Sequence, residues 1–408
     1  MSHSSSHARE RIIFLIASGL STAGSFAGLT AKGWILMDET KAPMVLALNF
    51  AALSLPTMLV SGPAGVRTDR IGCERVLIQA QWALLGAGLL GALSIPVFNG
   101  QAQVLMLLAS TLLVGIASAY ELTARNKYCA LLLDDNSELA PFLTSFSVVF
   151  NVGKLIGPLL GGVLITLAGP STALTLDAAT YLIPIASVIW LLNPRTELEE
   201  RSAPGERASL RVAWRECGST LRHVLMFTGL MCVVGFFHPG LGPLIAASEL
   251  GNTPMDLAVF TSVLALGSIA GGLLLQRNSH RFCQRPSLTL AGFALITALA
   301  QLGMAHGGGV PFLLAMTLMI GAGTAGLLSS SNLITQVGST QILRGRMAGL
   351  GQIAFLGGGG LSGLIAAQLT VTMGLRATFA ISGTLGVVFS LLEIWRRGGS
   401  VLKEVRSV

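Results

Sequence analysis

The chain reads as an all-α membrane protein of twelve transmembrane helices in two six-helix bundles. Three observations predict this. Of the 408 residues, 52% are hydrophobic and only 11% are charged, with a mean hydropathy of +0.71, whereas soluble globular chains carry roughly a quarter charged residues. Twelve runs of mostly apolar residues follow one another, each near the roughly 20 residues that a helix needs to cross a bilayer. One polar gap divides them into six and six.

The predicted spans are 12–36, 42–61, 76–98, 104–123, 139–168 and 172–192, then 223–247, 256–275, 288–304, 311–334, 347–370 and 375–395. The domain reading follows: a cytoplasmic tail at 1–11, an N-terminal six-helix bundle at 12–192, a linker at 193–222, a C-terminal bundle at 223–397 and a second tail at 398–408. Span 1 follows Arg9 and Arg11 but is too long for a signal peptide and leads straight into span 2, so it is expected to be retained. The SHSSSH stretch ahead of it is polar and reads as disordered.

Lys and Arg concentrate in short cytoplasmic loops. Placing both termini inside puts 22 of the 26 basic residues there, with Lys41 and Arg376 outside and Lys32 and Lys154 in the membrane. The net charge of +7 is thus an orientation signal, and no nucleic-acid partner is invoked. The expected location is the inner membrane, as a monomer among membrane lipid. Five cysteines form neither a disulfide framework nor a metal spacing, and no metal or other cofactor is expected. No nucleophile and base stand out, so an enzyme is not predicted.

The stretch SVVFNVGKLIGPLLGG in span 5 carries the sharpest chemistry. Lys154 lies deep in an apolar run, where a charge is costly and is by default a functional candidate. At about 100° per residue, Ser147, Asn151, Lys154 and Pro158 share one face, while Gly153, Gly157 and Gly161 make a smooth second face for a neighbouring helix. Pro158 has no N–H, so the carbonyl of Lys154 needs another partner. A lysine held by helix carbonyls is the structural alternative.

Span 1 places Ser18, Ser21, Thr22, Ser25 and Lys32 on one face; small-residue helix packing is the alternative reading. Asp177 in span 6 lies about 8 Å inside the outer boundary, at 1.5 Å per residue. Lys32 lies at a comparable depth. The two are expected either to pair or, alternatively, Asp177 caps the start of its helix. Glu121 and Arg125 in span 4 have the i, i+4 spacing of an ion pair. Span 7 contains FFHPGLGP, read either as a broken helix beside a cavity or as an outer hinge with a solvated His238. In span 10, Thr317, Thr324, Ser331 and Thr335 share a face and are expected to wall a shared cavity. In span 11, Gly359-x-x-x-Gly363 echoes span 5 at an offset near half the chain, as expected of a chain built from two parallel halves.

Two motifs carry a family resemblance. GPAGVRTDRIG, with Gly65, Asp69, Arg70, Gly72 and, one place late, Arg75, resembles the loop signature of the major facilitator superfamily, in which an acidic residue and arginines latch neighbouring helix ends. Gly153-x-x-x-Gly157-Pro158-x-x-Gly161-Gly162 is similar to the antiporter motif of that superfamily's exporters. FLTSFSVVFNVGKLIGPLLGG, with Ser21-x-x-Gly24, Ala31, Trp34 and LRGRMAGL, resembles the branch containing macrolide-efflux proteins and enterobactin exporters. The resemblance implies export of a small amphipathic molecule, a drug-like compound or a siderophore, by alternating access. No G-x-x-x-x-G-K-S/T loop occurs, so an ion gradient must drive it, with protons expected. Lys154 either titrates or holds an anionic substrate. Lys154, Asn151, Asp177, Lys32, Glu121, Ser21 and Ser25 are the candidates for substrate contact and coupling. A lipid flippase, a nutrient importer and a non-transporting membrane sensor are the alternatives.

Overall fold

The computed structural model describes residues 2–132, 139–191, 210–339 and 344–397, and all their regular elements are helices. Twelve are long and apolar enough to cross a membrane. Apolar side chains such as Leu59, Val148, Leu167 and Trp395 are exposed, as lipid-facing positions should be.

Six elements make up the first half: α1 Ser2–Thr40, α2 Pro43–Ile71, α3 Cys73–Val97, α4 Gly100–Leu131, α5 Leu139–Ala168 and α6 Pro170–Thr180. A short α7, Leu182–Ala186, and a π-helical turn, Ser187–Leu191, complete the sixth span. Helix α1 begins at Ser2, so the stretch expected to be a disordered tail continues the first helix. The second half contains α8 Leu210–Glu216, α9 Ser219–Gly235, α10 His238–Glu249, α11 Pro254–Arg277, α12 Ser279–Gln284 and α13 Pro286–His306. It continues with α14 Val310–Val337, α15 Arg344–Gln352, a π-helical turn Ile353–Gly357, α16 Gly358–Met373 and α17 Leu375–Arg397.

The chain forms two compact units. The first holds α1, α3 to α7, α2 from Leu55 onward and the Asn252–Ser262 segment that opens α11. The second holds the Ala42–Ser54 segment of α2, the rest of α11, and α8 to α10 with α12 to α17. In the first, Phe14, Tyr128, Cys129, Leu77 and Phe142 pack one apolar cluster. In the second, Phe227, Phe293, Leu225, Leu290 and Met347 form another, with Trp214 of α8 packed on it.

Each unit has a helix seated on glycines. In the first, α5 lies along α1. In the second, Gly358 and Gly359 of α16 meet Cys232 and Phe236 of α9 and its C-cap. Spans 11 and 7 therefore meet through glycine as spans 5 and 1 do, but at Gly358 and Gly359; Gly363, the second glycine of the expected repeat, lies beside Ala47 and Phe50 of α2.

Candidate functional site

Two helices lie close against α1, α5 through its own glycines and α6 through glycines of α1. A Cβ on Gly157 would stand 2.6 Å from the Ala23 carbonyl oxygen and 2.7 Å from the Phe26 Cβ. One on Gly161 would stand 2.8 Å from the Ala27 oxygen. Only glycine lets the α5 backbone lie this close to α1. On α1 itself, Gly24 and Gly28 admit Thr180 and Asp177 of α6.

That second contact brings opposite charges into the interior. Lys32 and Asp177 are each 4% exposed. The Lys32 Nζ donates to Ser110 Oγ of α4 at 2.8 Å, and Ser110 in turn donates to the Ala87 carbonyl of α3 at 2.7 Å. Gly91 gives the lysine head its space, since a Cβ there would lie 3.3 Å from Lys32 Cε. Asp177 is the charged group whose field acts on Lys32, yet no contact within ion-pairing distance joins them. The Asp177 Oδ1 is buried without a hydrogen-bond partner. The hydroxyls of Ser25 and Tyr181 stand beside this carboxyl and bond each other at 2.9 Å. Helix α6 starts at Pro170 after Gly169, so Asp177 sits about 10 Å along it. It does not cap the helix. Ser21 is buried on the same helix as Ser25.

Asn151 and Lys154 are half-buried on α5, while Gly153, Gly157, Pro158, Gly161 and Gly162 are buried. Gly162 faces Ala258 and Pro254 of α11. One turn away, the Ser262 hydroxyl donates to the Leu155 carbonyl at 2.9 Å, the oxygen next to the one that Pro158 leaves without its helical donor. The side chain of Ser147 lies outside the described residues.

Glu121 and Arg125 close at 2.8 Å within α4. The guanidinium also lies 4.8 Å from the centre of the Phe146 ring, and its Nε is buried without a partner. The latch segment differs from expectation. Helix α2 runs on to Ile71, so Gly65 and Arg70 are helical and the turn is Gly72 alone, at φ 94°. The two Pro residues inside α2, Pro56 and Pro63, do not end it. Arg67 donates to Gln79 Oε1 of α3 at 3.0 Å, and Glu74 occupies the first turn of α3, where the helix dipole favours an anion. Arg70 and Arg75 are exposed, and the Asp69 side chain lies outside the described residues.

In the second unit the broken-helix reading of span 7 is the one observed. Helix α9 ends at Gly235 and α10 begins at His238. His238 is 2% exposed, against the expected solvated hinge, because Phe236 and Phe237 pack around it with ring centres 5.1 and 6.4 Å away. The Gln301 amide donates to the Gly235 carbonyl at 2.8 Å and so satisfies one end group of the broken helix. A cavity of about 20 Å³ opens there, lined by Gln301, Thr324, Thr297 and Ser382 among apolar neighbours. The threonine face of α14 is also placed differently from expectation. Thr317, Ser331 and Thr335 are buried inside the unit; the two threonines bond their own helix carbonyls and Ser331 bonds Thr228. Asn332 and Gln336 are exposed and bond each other.

Sequence reasoning missed Tyr181, Gln301 and the His223–Glu393 pair, closed at 2.8 Å between α9 and α17. Tyr181 carried a signal, one helical turn after Asp177. No group of three or more His, Cys, Asp or Glu side chains able to hold a metal ion occurs among the described residues.

The family model described as transmembrane secretion effector matches residues 6–397. The multidrug efflux pump Tap of Mycobacterium tuberculosis is 24% identical over 388 residues, covering 90% of this chain and 88% of Tap. The staphyloferrin A transporter of Staphylococcus aureus is 22% identical over 268 residues, covering 65% of this chain and 66% of the other. Among solved structures, a POT family transporter in complex with 5-aminolevulinic acid superposes with a TM-score of 0.75 at 11% identity, covering 97% of both chains. The nucleoside transporter NupG gives 0.68 at 13%, covering 95% of this chain and 98% of NupG.

Proposed function

The chain belongs to the transmembrane secretion effector family and is a membrane-embedded transporter of the major facilitator fold, and from that premise we propose that it exports a small amphipathic molecule by alternating access, driven by protons. Tap, named as a multidrug efflux pump, matches nine-tenths of the chain and supports the direction. The observation that carries ion coupling is the buried Asp177, whose Oδ1 has no partner although Lys32 is buried nearby. A buried carboxylate with one oxygen left unpartnered is unstable unless it titrates or is paired in another conformation.

In this reading the two halves rock around a substrate that Lys154 and Asn151 meet, in an inner membrane with both termini cytoplasmic and the chain acting as a monomer. Lys154 favours a substrate with an acidic group, because an ammonium in hydrocarbon lowers its free energy by holding an anion. That supports an anionic siderophore as the second substrate class; a relative of this chain is named as a staphyloferrin A transporter. Gly65, Asp69, Arg70, Gly72 and Arg75 would steady the helix ends on the cytoplasmic side.

The test is flux in cells lacking their own pumps. Cells making the protein should accumulate less ethidium, or release more of an anionic siderophore, and collapse of the proton gradient should abolish the difference. Accumulation in place of depletion would point to an importer. Equal transport and equal pH dependence in Lys154→Ala and Lys154→Met at normal protein levels would remove that lysine from the mechanism.

A further inference from the structure

We propose that Asp177 is the group that takes up and releases the coupling proton, and that Lys32 exchanges its hydrogen-bond partner between Ser110 and Asp177 as it does so. This rests on the proton-driven reading above and assigns it a site.

The geometry shows one of the two arrangements. Lys32 is held by a neutral acceptor, Ser110, at 2.8 Å, and that hydroxyl is itself anchored on the Ala87 carbonyl. Asp177, seated against Gly28 one helical turn before Lys32 on α1, keeps one buried oxygen unpartnered. A carboxylate left this way, with one oxygen unpartnered and the lysine beyond ion-pairing distance, is an under-compensated buried charge; a carboxylic acid carries no charge to compensate. The observed arrangement therefore suits the protonated carboxyl. When the proton leaves, a carboxylate remains, and the cheapest way to neutralise it is for the lysine head to leave Ser110 and close on Asp177. The step balances: the carboxylate gains or loses one H⁺ and Lys32 keeps its charge, so the site alternates between one net positive charge and none.

The surroundings allow the exchange. Gly28 and Gly91 put no side chain against the carboxyl or the lysine stem. Ser25 and Tyr181, bonded to each other at 2.9 Å, stand where they can donate to the carboxylate once it forms. The charged groups that face the cluster are few. Helix α1 supplies Lys32, α6 with its C-cap supplies Asp177 and Tyr181, and α4 supplies Glu121, whose field reaches Tyr181. Helix α3 presents Gly88 and Gly91. A movement of α6 along α1 would change the Lys32–Asp177 separation directly, which is how proton occupancy and conformation would be linked.

Two measurements on the full-length purified protein test this. In infrared difference spectra between acid and alkaline buffer, the wild type should show a protonated-carboxyl band that is lost in Asp177→Asn, kept in Glu121→Gln and displaced in frequency in Lys32→Met and Tyr181→Phe. A band that survives in Asp177→Asn overturns the assignment; one undisplaced in Lys32→Met overturns the exchange. In lipid vesicles loaded with ethidium, Asp177→Asn should lose extrusion driven by an imposed pH gradient, falling to the level of vesicles without the protein. Full pH-driven extrusion by Asp177→Asn would defeat the proposal. If the wild type itself shows no pH-driven extrusion of ethidium or siderophore, the exporter reading fails, while the infrared band still decides whether Asp177 titrates.

Discussion

Gly157 of α5 lies so close to Ala23 of α1 that a single added carbon would stand 2.6 Å from the Ala23 carbonyl oxygen. The neighbouring atom is backbone, so it cannot rotate away. Gly157→Ala should therefore lower stability by about 1–3 kcal/mol, the usual cost of overpacking, and Gly157→Val should cost more. Thermal unfolding in detergent checks this. Gly86, which faces open space, is the control, and Gly86→Ala should leave the melting temperature unchanged or slightly raised. Equal melting temperatures for all three variants would show that the two helices do not hold this distance.

Glu121 and Arg125 make a largely buried pair inside α4, with side chains 12% and 14% exposed. Removing the carboxylate alone leaves the guanidinium over the Phe146 ring with an already unpartnered Nε. Glu121→Gln should cost about 1–3 kcal/mol, because an uncompensated charge is worse than no pair. The double variant Glu121→Gln with Arg125→Met should recover part of that loss. Melting curves of the single and double variants read the coupling. A Glu121→Gln protein of wild-type stability that no longer extrudes dye would instead give the pair a direct role in transport.

Span positions were legible because length and hydropathy alone set them: α5 falls on residues 139–168 and α17 starts at the predicted 375. The interruptions were not. Proline marked the α9–α10 break through the HPGLGP run, but the π-helical turns at Ser187–Leu191 and Ile353–Gly357 have no comparable sequence signal. The shared depth of Lys32 and Asp177 was readable by counting residues from the helix ends. Their partners were not, since Ser110 reaches Lys32 from 78 positions away and only packing decides that contact. The threonine face of α14 shows the limit from the other side. Periodicity states which residues share a face, and it cannot say whether that face meets a cavity or a neighbouring helix.

Cys217 and Cys283 lie between spans, and burial pushes both thiols up from their usual range, with Arg222 beside Cys217 pulling the other way. A raised value means less thiolate near neutrality, and the thiolate is the reacting form. Alkylation of both by a membrane-permeant maleimide should be slower at neutral pH than in the denatured chain, and should accelerate as pH rises through the alkaline range. Mass spectrometry of the labelled peptides across pH measures this. Labelling as fast in the native as in the denatured protein at neutral pH would contradict the burial of the two thiols.

The Gln301 amide is what closes the end of α9, donating to Gly235 at 2.8 Å from a side chain that is 1% exposed. Gln301→Leu keeps most of the volume and removes the donor, leaving a carbonyl beside the small cavity with neither helix nor side chain to satisfy it. The expected cost is about 1–3 kcal/mol, that of a buried polar group left without its partner. Gln301→Glu restores an acceptor where a donor is needed, so in its ionised form it should be at least as damaging, while Gln301→His keeps an N–H that can donate. Thermal melting ranks the three. The same series separates two roles for the broken helix: if the break is only a packing feature, transport falls in proportion to folded protein. If α9 and α10 move against each other during the cycle, dye extrusion per folded molecule changes in Gln301→Leu, because the bond that fixes their junction is gone. A Gln301→Leu protein with unchanged melting temperature and unchanged extrusion would show that the Gly235 carbonyl finds another donor, and that the bond contributes to neither.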